Sequence, residues 1–247
     1  MATFTDYNDT LPNPNVSIAY DGSSTSTNEG YAAGPGYASV RVSSKFKTMN
    51  NRTNSGVFIA RSKAFHQFTV NITYNPLTEE EFTPIYSFLQ EKQGMLKSFF
   101  VTLPQYDDPQ DSTLANHSPI LDFEVDNSLG YDAGVTQINI DAAGYDSSTD
   151  GQLRPGDFFT FTDTTNTNHT KAYKITRVET NADYTDSQPS ANELRISFVP
   201  PLRKDVADNA TINYRNPKMK VVAKDSQQYS LGNNNLYSFS LSLEEVQ

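Results

Sequence analysis

Residues 61–104, RSKAFHQFTVNITYNPLTEEEFTPIYSFLQEKQGMLKSFFVTLP, constrain the fold more than any other part of the chain. Phe68, Val70, Ile72 and Tyr74 alternate with Thr69, Asn71 and Thr73. A period of two puts the apolar set on one face of a strand and the polar set on the other. Thr78 followed by Glu81 has capping-box spacing, so a helix is expected to open here. Phe82, Ile85, Tyr86, Phe88 and Leu89 then share one helical face. Gly94 is expected to stop the helix, and FFVTL at 99–103 to resume the sheet. The expectation is one amphipathic helix packed on a large antiparallel sheet, a scaffold with no reactive group on display. Pro84 fits poorly inside such a helix, where its missing donor and ring clash cost about 3 kcal/mol. A regular helix starting near Glu80 or Glu81 removes the conflict, because Pro is harmless in a first turn.

At 247 residues the chain has room for one large β domain or two smaller ones. Its apolar share is only 36%, yet it carries 14 Tyr and 15 Phe and no Trp. Twisted sheets with many polar loops, or a thin-walled object with more surface than core, have this composition. The net charge of −10 argues against broad contact with nucleic-acid phosphate or an anionic membrane surface. With no cysteine, disulfides, thiolate metal sites and cysteine nucleophiles are excluded. No apolar run approaches the length of a membrane span. No secretory signal is expected, since MATFTDYNDTLPNPNVS lacks a basic region followed by an apolar run.

Along the chain, residues 1–36 are polar and rich in Gly, Ser, Asn and Thr; they read as an extended arm that orders against a neighbour, or as a loose tail. Val40, Val42 and Phe46 mark one strand and Val57, Phe58 and Ile59 another, with KTMNNRTNSG between them as a polar turn. QYDDPQDSTLANHSPI is a Pro- and Asp-rich boundary loop. Five strand signals follow, at 135–140, 158–161, 172–178, 194–198 and 210–214, spaced as in a small barrel or sandwich. Pro155-Gly156 forms a tight turn whose Asp157 is placed to bond nearby backbone. Tyr237, Phe239, Leu241 and Leu243 alternate in a closing strand expected to rejoin the first sheet. The expected fold is mainly β: a tube-like antiparallel sandwich or barrel domain with one α-helix, plus an inserted small OB-like barrel. The expected divisions are an arm at 1–36, the tube-like domain at 37–133 and 218–247, and the insertion at 134–217.

Three phrases carry a family resemblance. The first is the strand and helix block with NPLTEEEFTPIYSFLQEKQGMLKSFFVTLP; the second is LRPGDFFTFTD with KAYKITRV and ISFVPPLRKDV; the third is TINYRNPKMKVVAKD with the closing strand. Their order over residues 37–247 resembles distal tail and minor tail proteins of tailed bacteriophages. Pro84 and the polar loop at 180–193 depart from the pattern. The resemblance implies a structural virion protein, made in the host cytoplasm. It would form a homo-oligomeric ring, most often a hexamer, that joins the tail tube protein to the tip or baseplate hub proteins. DNA would pass through the lumen without specific binding. In such a ring neighbouring sheets join edge to edge, and the Thr, Asn and Ser positions face a wet lumen. An acidic lumen would let DNA slide, so acidic residues are expected to outnumber basic ones on that wall. The contacts expected are the strand edges, the 1–36 arm and the loop at Lys45 to Gly56.

No catalytic, cofactor-binding or metal-binding residue is assigned. His66, His117 and His169 share no ligand spacing. Asp107, Asp108 and Asp111 offer oxygen ligands but lack the EF-hand pattern, so a solvated turn is the simpler reading. Asp122, Glu124 and Asp126 alternate on one strand face, which in principle supplies a glycosidase pair. Arg203, Lys204, Arg215, Lys218, Lys220 and Lys224 concentrate near the end of the small module, as a docking surface for an acidic neighbour or as a solvated face. Two alternatives therefore stand beside the ring. One is a carbohydrate- or receptor-binding module using Tyr145, Tyr173, Tyr184 and Tyr214. The other is a polysaccharide-degrading enzyme using Asp122 or Glu124.

Overall fold

The computed structural model describes residues 9–11, 17–18, 24–25, 32–33, 35–183, 190, 192–224 and 228–246. The chain is mainly β and divides into two compact units, 1–101 with 220–247, and 102–219.

The first unit holds β1 (Thr10–Leu11), β2 (Ser17–Ile18), β3 (Ser24–Thr25), β4 (Ala32–Ala33), β5 (Tyr37–Arg52), β6 (Phe58–Tyr74), helix α1 (Glu79–Lys92) and β7 (Phe99–Val101). The second holds a 3-10 turn (Pro104–Tyr106), the short helix α2 (Ser112–Ala115), β8 (Glu124–Val125), β9 (Gln137–Asp141), β10 (Phe158–Thr162), β11 (Tyr173–Glu179), β12 (Glu193–Val199) and β13 (Thr211–Asn213). The chain then returns through β14 (Met219–Ala223), β15 (Tyr229–Leu231) and β16 (Tyr237–Glu245).

In the first unit a mixed sheet runs β1-β7-β14-β16-β6-β5, with β15 paired to β16. The β1 and β7 strands are parallel, while β6 is antiparallel to both β5 and β16. The period-two signal holds: Phe68, Val70, Ile72 and Tyr74 are buried. Register places Val70 opposite Leu243 and Ile72 opposite Leu241, so one apolar face runs across the strands. Helix α1 covers it. Phe82 stacks on Tyr237 at 4.4 Å between ring centroids, and Phe88 meets Phe99 edge-on at 5.3 Å. Glu81 closes the helix N-terminus by accepting from the Thr78 backbone N–H at 3.0 Å, as the spacing predicts.

The late helix start did not materialise. The helix opens at Glu79 and Pro84 lies inside it. The carbonyl that Pro84 leaves without an intrahelical donor belongs to Glu80, on the exposed side, where water is available. Part of the expected N-terminal arm is also attached to the chain's own sheet. Thr10 and Leu11 are buried beside β7, and Asp9 pairs with Lys92 Nζ at 2.8 Å. β2, β3 and β4 form a small sheet of their own, and the rest of residues 1–36 lies outside the described residues.

The second unit is a closed, six-stranded antiparallel barrel in the order β10-β11-β12-β9-β8-β13. Its core explains the many aromatics. Phe123, Phe159, Tyr173 and Phe198 are fully buried, and Phe159 packs on Tyr173 and Phe198 with centroids 5.5 Å apart. Buried phenols keep partners: the Tyr214 hydroxyl donates to the Leu121 carbonyl at 2.8 Å and the Tyr145 hydroxyl to the Gly151 carbonyl at 2.9 Å. The unit takes in residues 102–133 as well as the expected insertion at 134–217, because Leu114, Leu121, Phe123 and Val125 belong to its core. The strand β8 is two residues long, too short to show periodicity.

Ile85 lies at the centre of the helix seat and is fully buried. Ile85→Ala should lower the unfolding free energy by about 2–5 kcal/mol in urea titration. Glu81→Ala should cost only about 0.5–2 kcal/mol. A loss under about 0.5 kcal/mol for Ile85→Ala would mean that the helix is not seated on this sheet.

Candidate functional site

β5 and β6 continue well past the part of the sheet that α1 covers. The ladder reaches from Tyr37 opposite Tyr74 out to Arg52 opposite Phe58, with register shifts near Tyr37/Ser39 and Phe46/Thr48. The expected turn KTMNNRTNSG is therefore mostly strand, and the two expected strands at 57–59 and 68–74 are one. Alternating polar residues pair across a ribbon as readily as they fill a loop, so composition misled here. The reversal itself occupies 53–57: the Thr53 N–H donates to the Val57 carbonyl at 3.0 Å, and Gly56 takes a φ of 83°.

This ribbon forms an arm. Every described side chain from 43 to 61 is exposed. Phe46, Met49, Val57, Phe58 and Ile59 are each more than half exposed. Beyond the bulge, register puts Met49, Val57 and Ile59 on one face and Phe58 with Ala60 on the other. Apolar residues on both faces of a two-stranded ribbon gain nothing from water, and an isolated hairpin is marginal on its own. The arm is anchored where it leaves the sheet. His66 is buried, its Nε2 lies 2.8 Å from the Ser44 hydroxyl, and its ring packs between Phe46 and Phe68 at 4.5 and 4.4 Å. Among the described residues no strand pairs with the outer edge of β5.

The face of this sheet turned away from α1 carries rows of small polar residues. Ser39, Arg41, Ser43 and Lys45 of β5 stand opposite Thr73, Asn71, Thr69 and Gln67 of β6, with Ser240, Ser242 and Glu244 of β16 beyond. Lys220 and Lys224 extend the same face along β14, beside Glu244. A recess of about 380 Å³ opens on it, lined by Ser43, Lys45, Thr69, Asn71, Lys224 and Ser242 among others. The polar positions assigned to a lumen wall thus lie among Arg41, Lys45, Lys220 and Lys224, with Glu244 the one carboxylate among the described residues of the face. Among the described residues this face is thus more basic than acidic, where an acidic wall is the expectation for a lumen.

The residues weighed for chemistry do not converge. His117 lies 3.6 Å from Asp150, and its Nδ1 sits 2.7 Å from the Pro119 carbonyl. His169 is buried against the Tyr173 hydroxyl at 2.7 Å. Asp111 caps α2 by accepting from Thr113 N–H, and the Arg154 guanidinium at 2.8 Å holds its carboxyl below the usual range. Asp157 accepts from the backbone N–H of Arg154 and Gln110, a turn-building role. Arg215 donates to the Leu114 and Ala115 carbonyls at the end of α2. Among the described residues no group of three or more His, Asp or Glu is placed to hold a metal ion.

Of the tyrosines proposed for sugar stacking, Tyr145, Tyr173 and Tyr214 are core residues of the barrel and are unavailable; Tyr184 lies outside the described residues. Exposed aromatics gather in the first unit instead. Tyr229, half exposed, meets Tyr86 edge-on at 5.2 Å and Phe82 at 4.9 Å, with Tyr237 beside it. The hairpin that brings Tyr229 back onto the helix is invisible to periodicity.

Glu124 and Asp126 fall in a group of five carboxylates at one end of the barrel. Glu124 pairs with Asp141, which pairs with Glu193, and Asp208 bonds the Asn127 N–H at 3.2 Å. Burial, then the charges of Glu193, Asp141 and Asp208, push the Asp126 carboxyl up. Burial, then Glu124 and Glu193, do the same to Asp141. No known protein-family model matches the chain, and no curated protein matches it.

Two pH dependences follow. An acid raised in the folded state favours folding below its unfolded pKa and loses that advantage as pH rises through the folded value. At pH 7 Asp126 and Asp141 are therefore destabilising. Asp126→Asn and Asp141→Asn should raise Tm at neutral pH, and the gain should vanish as pH is lowered past the ordinary 3.8. Burial drops His169 from 6.5 to about 4, so the unfolded chain takes up its proton first. Barrel stability should fall between those two pH values, and His169→Gln should flatten that slope in thermal melts. An unchanged slope would show that His169 is solvated.

Proposed function

We propose that this chain is a structural virion protein of a bacteriophage tail, a ring-forming subunit that joins the tail tube to the tip or baseplate. The observation that carries the reading is the arm. A ribbon with five large apolar side chains in water, rooted by His66 in a well-packed sheet, is a contact awaiting another surface. The outer edge of β5, with which no strand pairs among the described residues, supports the same reading, since an unpaired edge is a hazard in a monomer and a joint in a ring. The sheet with its single seated helix serves as the tube-like scaffold. The barrel is read as the OB-like insertion of that scaffold, with six strands where the OB-fold has five. The partners on this reading are identical copies, the tube protein and the tip or hub proteins. The reading requires no catalytic step.

Tyr229, half exposed and packed with the partly buried Tyr86 and Tyr237, favours a second reading, a glycan-binding surface on the first unit in place of the barrel. Quenching of tyrosine fluorescence by oligosaccharide, abolished in Tyr229→Ala, would support it.

The ring is tested with the arm. Phe58→Ser with Ile59→Ser should leave the unfolding free energy of the single copy within about 0.5 kcal/mol, because both side chains are already exposed. The same pair should abolish self-association in sedimentation and remove closed rings from particle images. Single copies at every concentration, with wild type and variant indistinguishable, would sink the proposal.

A further inference from the structure

The open face and the carboxylate group carry opposite charge on one chain. The face presents Arg41, Lys45, Lys220 and Lys224 against Glu244. Arg41, Lys45 and Lys224 are exposed, and the Lys224 ammonium lies 3.9 Å from Glu244, too far for a tight pair. Around them Ser43, Thr69 and Asn71 supply neutral hydrogen-bonding groups, and Ser242 donates to Asn71 Oδ1 at 2.7 Å. The recess between Lys45 and Lys224 admits side chains.

We propose that this open face docks head to tail onto the carboxylate-bearing end of the barrel in a second copy of the chain. The inference rests on the self-assembly reading and names the surfaces that meet. Charge complementarity selects the occupant. A nucleic acid is the other polyanion to consider, but a duplex needs a continuous basic face, and a chain of net charge −10 repels it at long range. A second copy brings a local acidic surface matched to a local basic one, while the rest of both surfaces keeps like charges apart. Strand pairing sets Glu124, Asp141 and Glu193 side by side, and the Asp126 and Asp141 carboxyls are pushed up by burial first and then by the charges of their acidic neighbours. Neighbouring lysines and an arginine would relieve that repulsion. The two surfaces differ, so the contact is heterologous and propagates from copy to copy, closing into a ring where the rotation permits.

The test is association of the full chain, followed by sedimentation across a range of NaCl. Wild-type association should weaken as salt rises, since screening acts on exposed pairs. Lys45→Glu with Lys224→Glu should weaken it by about tenfold or more at low salt and flatten the salt dependence. Asp126→Lys with Asp141→Lys should do the same. Mixing the two variants should restore association, because each presents the surface that the other needs. Lys97→Glu with Lys204→Glu makes the same change in net charge at residues not named for either surface and should behave as wild type. If wild type associates and the Lys45/Lys224 variant matches it, the docking proposal is overturned while self-assembly stands. Equal weakening in the Lys97/Lys204 control would overturn it in favour of a net-charge effect. Retention of a short DNA duplex by wild type, lost in the Lys45/Lys224 variant, would overturn it in favour of nucleic acid. A wild type that stays single at every salt and concentration overturns both the docking and the ring.

Discussion

The ladder between β5 and β6 does two different jobs along its length. From Ser39 to Phe46 it is the border of a sheet that α1 covers on one face, and the pairing there keeps a single register. Past the register shift at Phe46/Thr48 the pairing continues, and among the described residues it has no neighbouring strand and no buried side chain. Backbone pairing alone does not stabilise a ribbon of this kind in water. The arm therefore depends on the packed end for its direction. His66 lies at the change, buried between Phe46 and Phe68, where covered sheet becomes free ribbon. A substitution that loosens this root would be felt along the whole arm.

Charge is distributed with a similar division. The chain is acidic as a whole, and its carboxylates crowd the barrel, where strand pairing sets Glu124, Asp141 and Glu193 side by side. Its cations are shared between local structural roles and the open sheet face. Arg215 and Arg154 serve α2, one at each end, and are taken up by carbonyls and by Asp111. Lys220 and Lys224, which follow Arg215 closely in sequence, belong instead to the sheet. The basic run that sequence presents as one cluster is split because the chain leaves the barrel for the sheet within it.

What could be read in advance was whatever one strand or one helix decides locally. Phe68 to Tyr74 alternated because one face is buried, and Thr78 with Glu81 announced a helix end because the bond between them is short-range. Pro84 was misjudged because its cost falls on an exposed carbonyl, which no sequence pattern reports. The tyrosines were misassigned because a phenol reads as amphipathic, whereas the Leu121 and Gly151 carbonyls that satisfy Tyr214 and Tyr145 are set by tertiary structure. The arm was missed because Asn, Thr and Lys in alternation suit both a polar loop and a solvated ribbon. The barrel's first strand was missed because two residues carry no period. The open face was legible as polar, but its sign was not: the pair Arg41 and Lys45 on β5 and the pair Lys220 and Lys224 along β14 are far apart in sequence and share a face only through register.

Magnitudes decide how these surfaces would have to cooperate. Five apolar arm residues, each already partly hidden, contribute on the order of 4–8 kcal/mol when fully covered. Bringing two copies together costs about 4–15 kcal/mol in lost freedom before any contact is counted. An arm alone is thus a weak joint, and a few exposed ion pairs at about 0–1 kcal/mol each do not rescue a simple pair of copies. Closure changes the balance. In a ring each copy both gives an arm and receives one, so the last joint forms between copies already held in place. That joint meets little of the association cost. On the proposed ring reading such a chain would be indifferent to pairs and committed to complete rings, with charge setting which faces approach and apolar cover setting whether they stay.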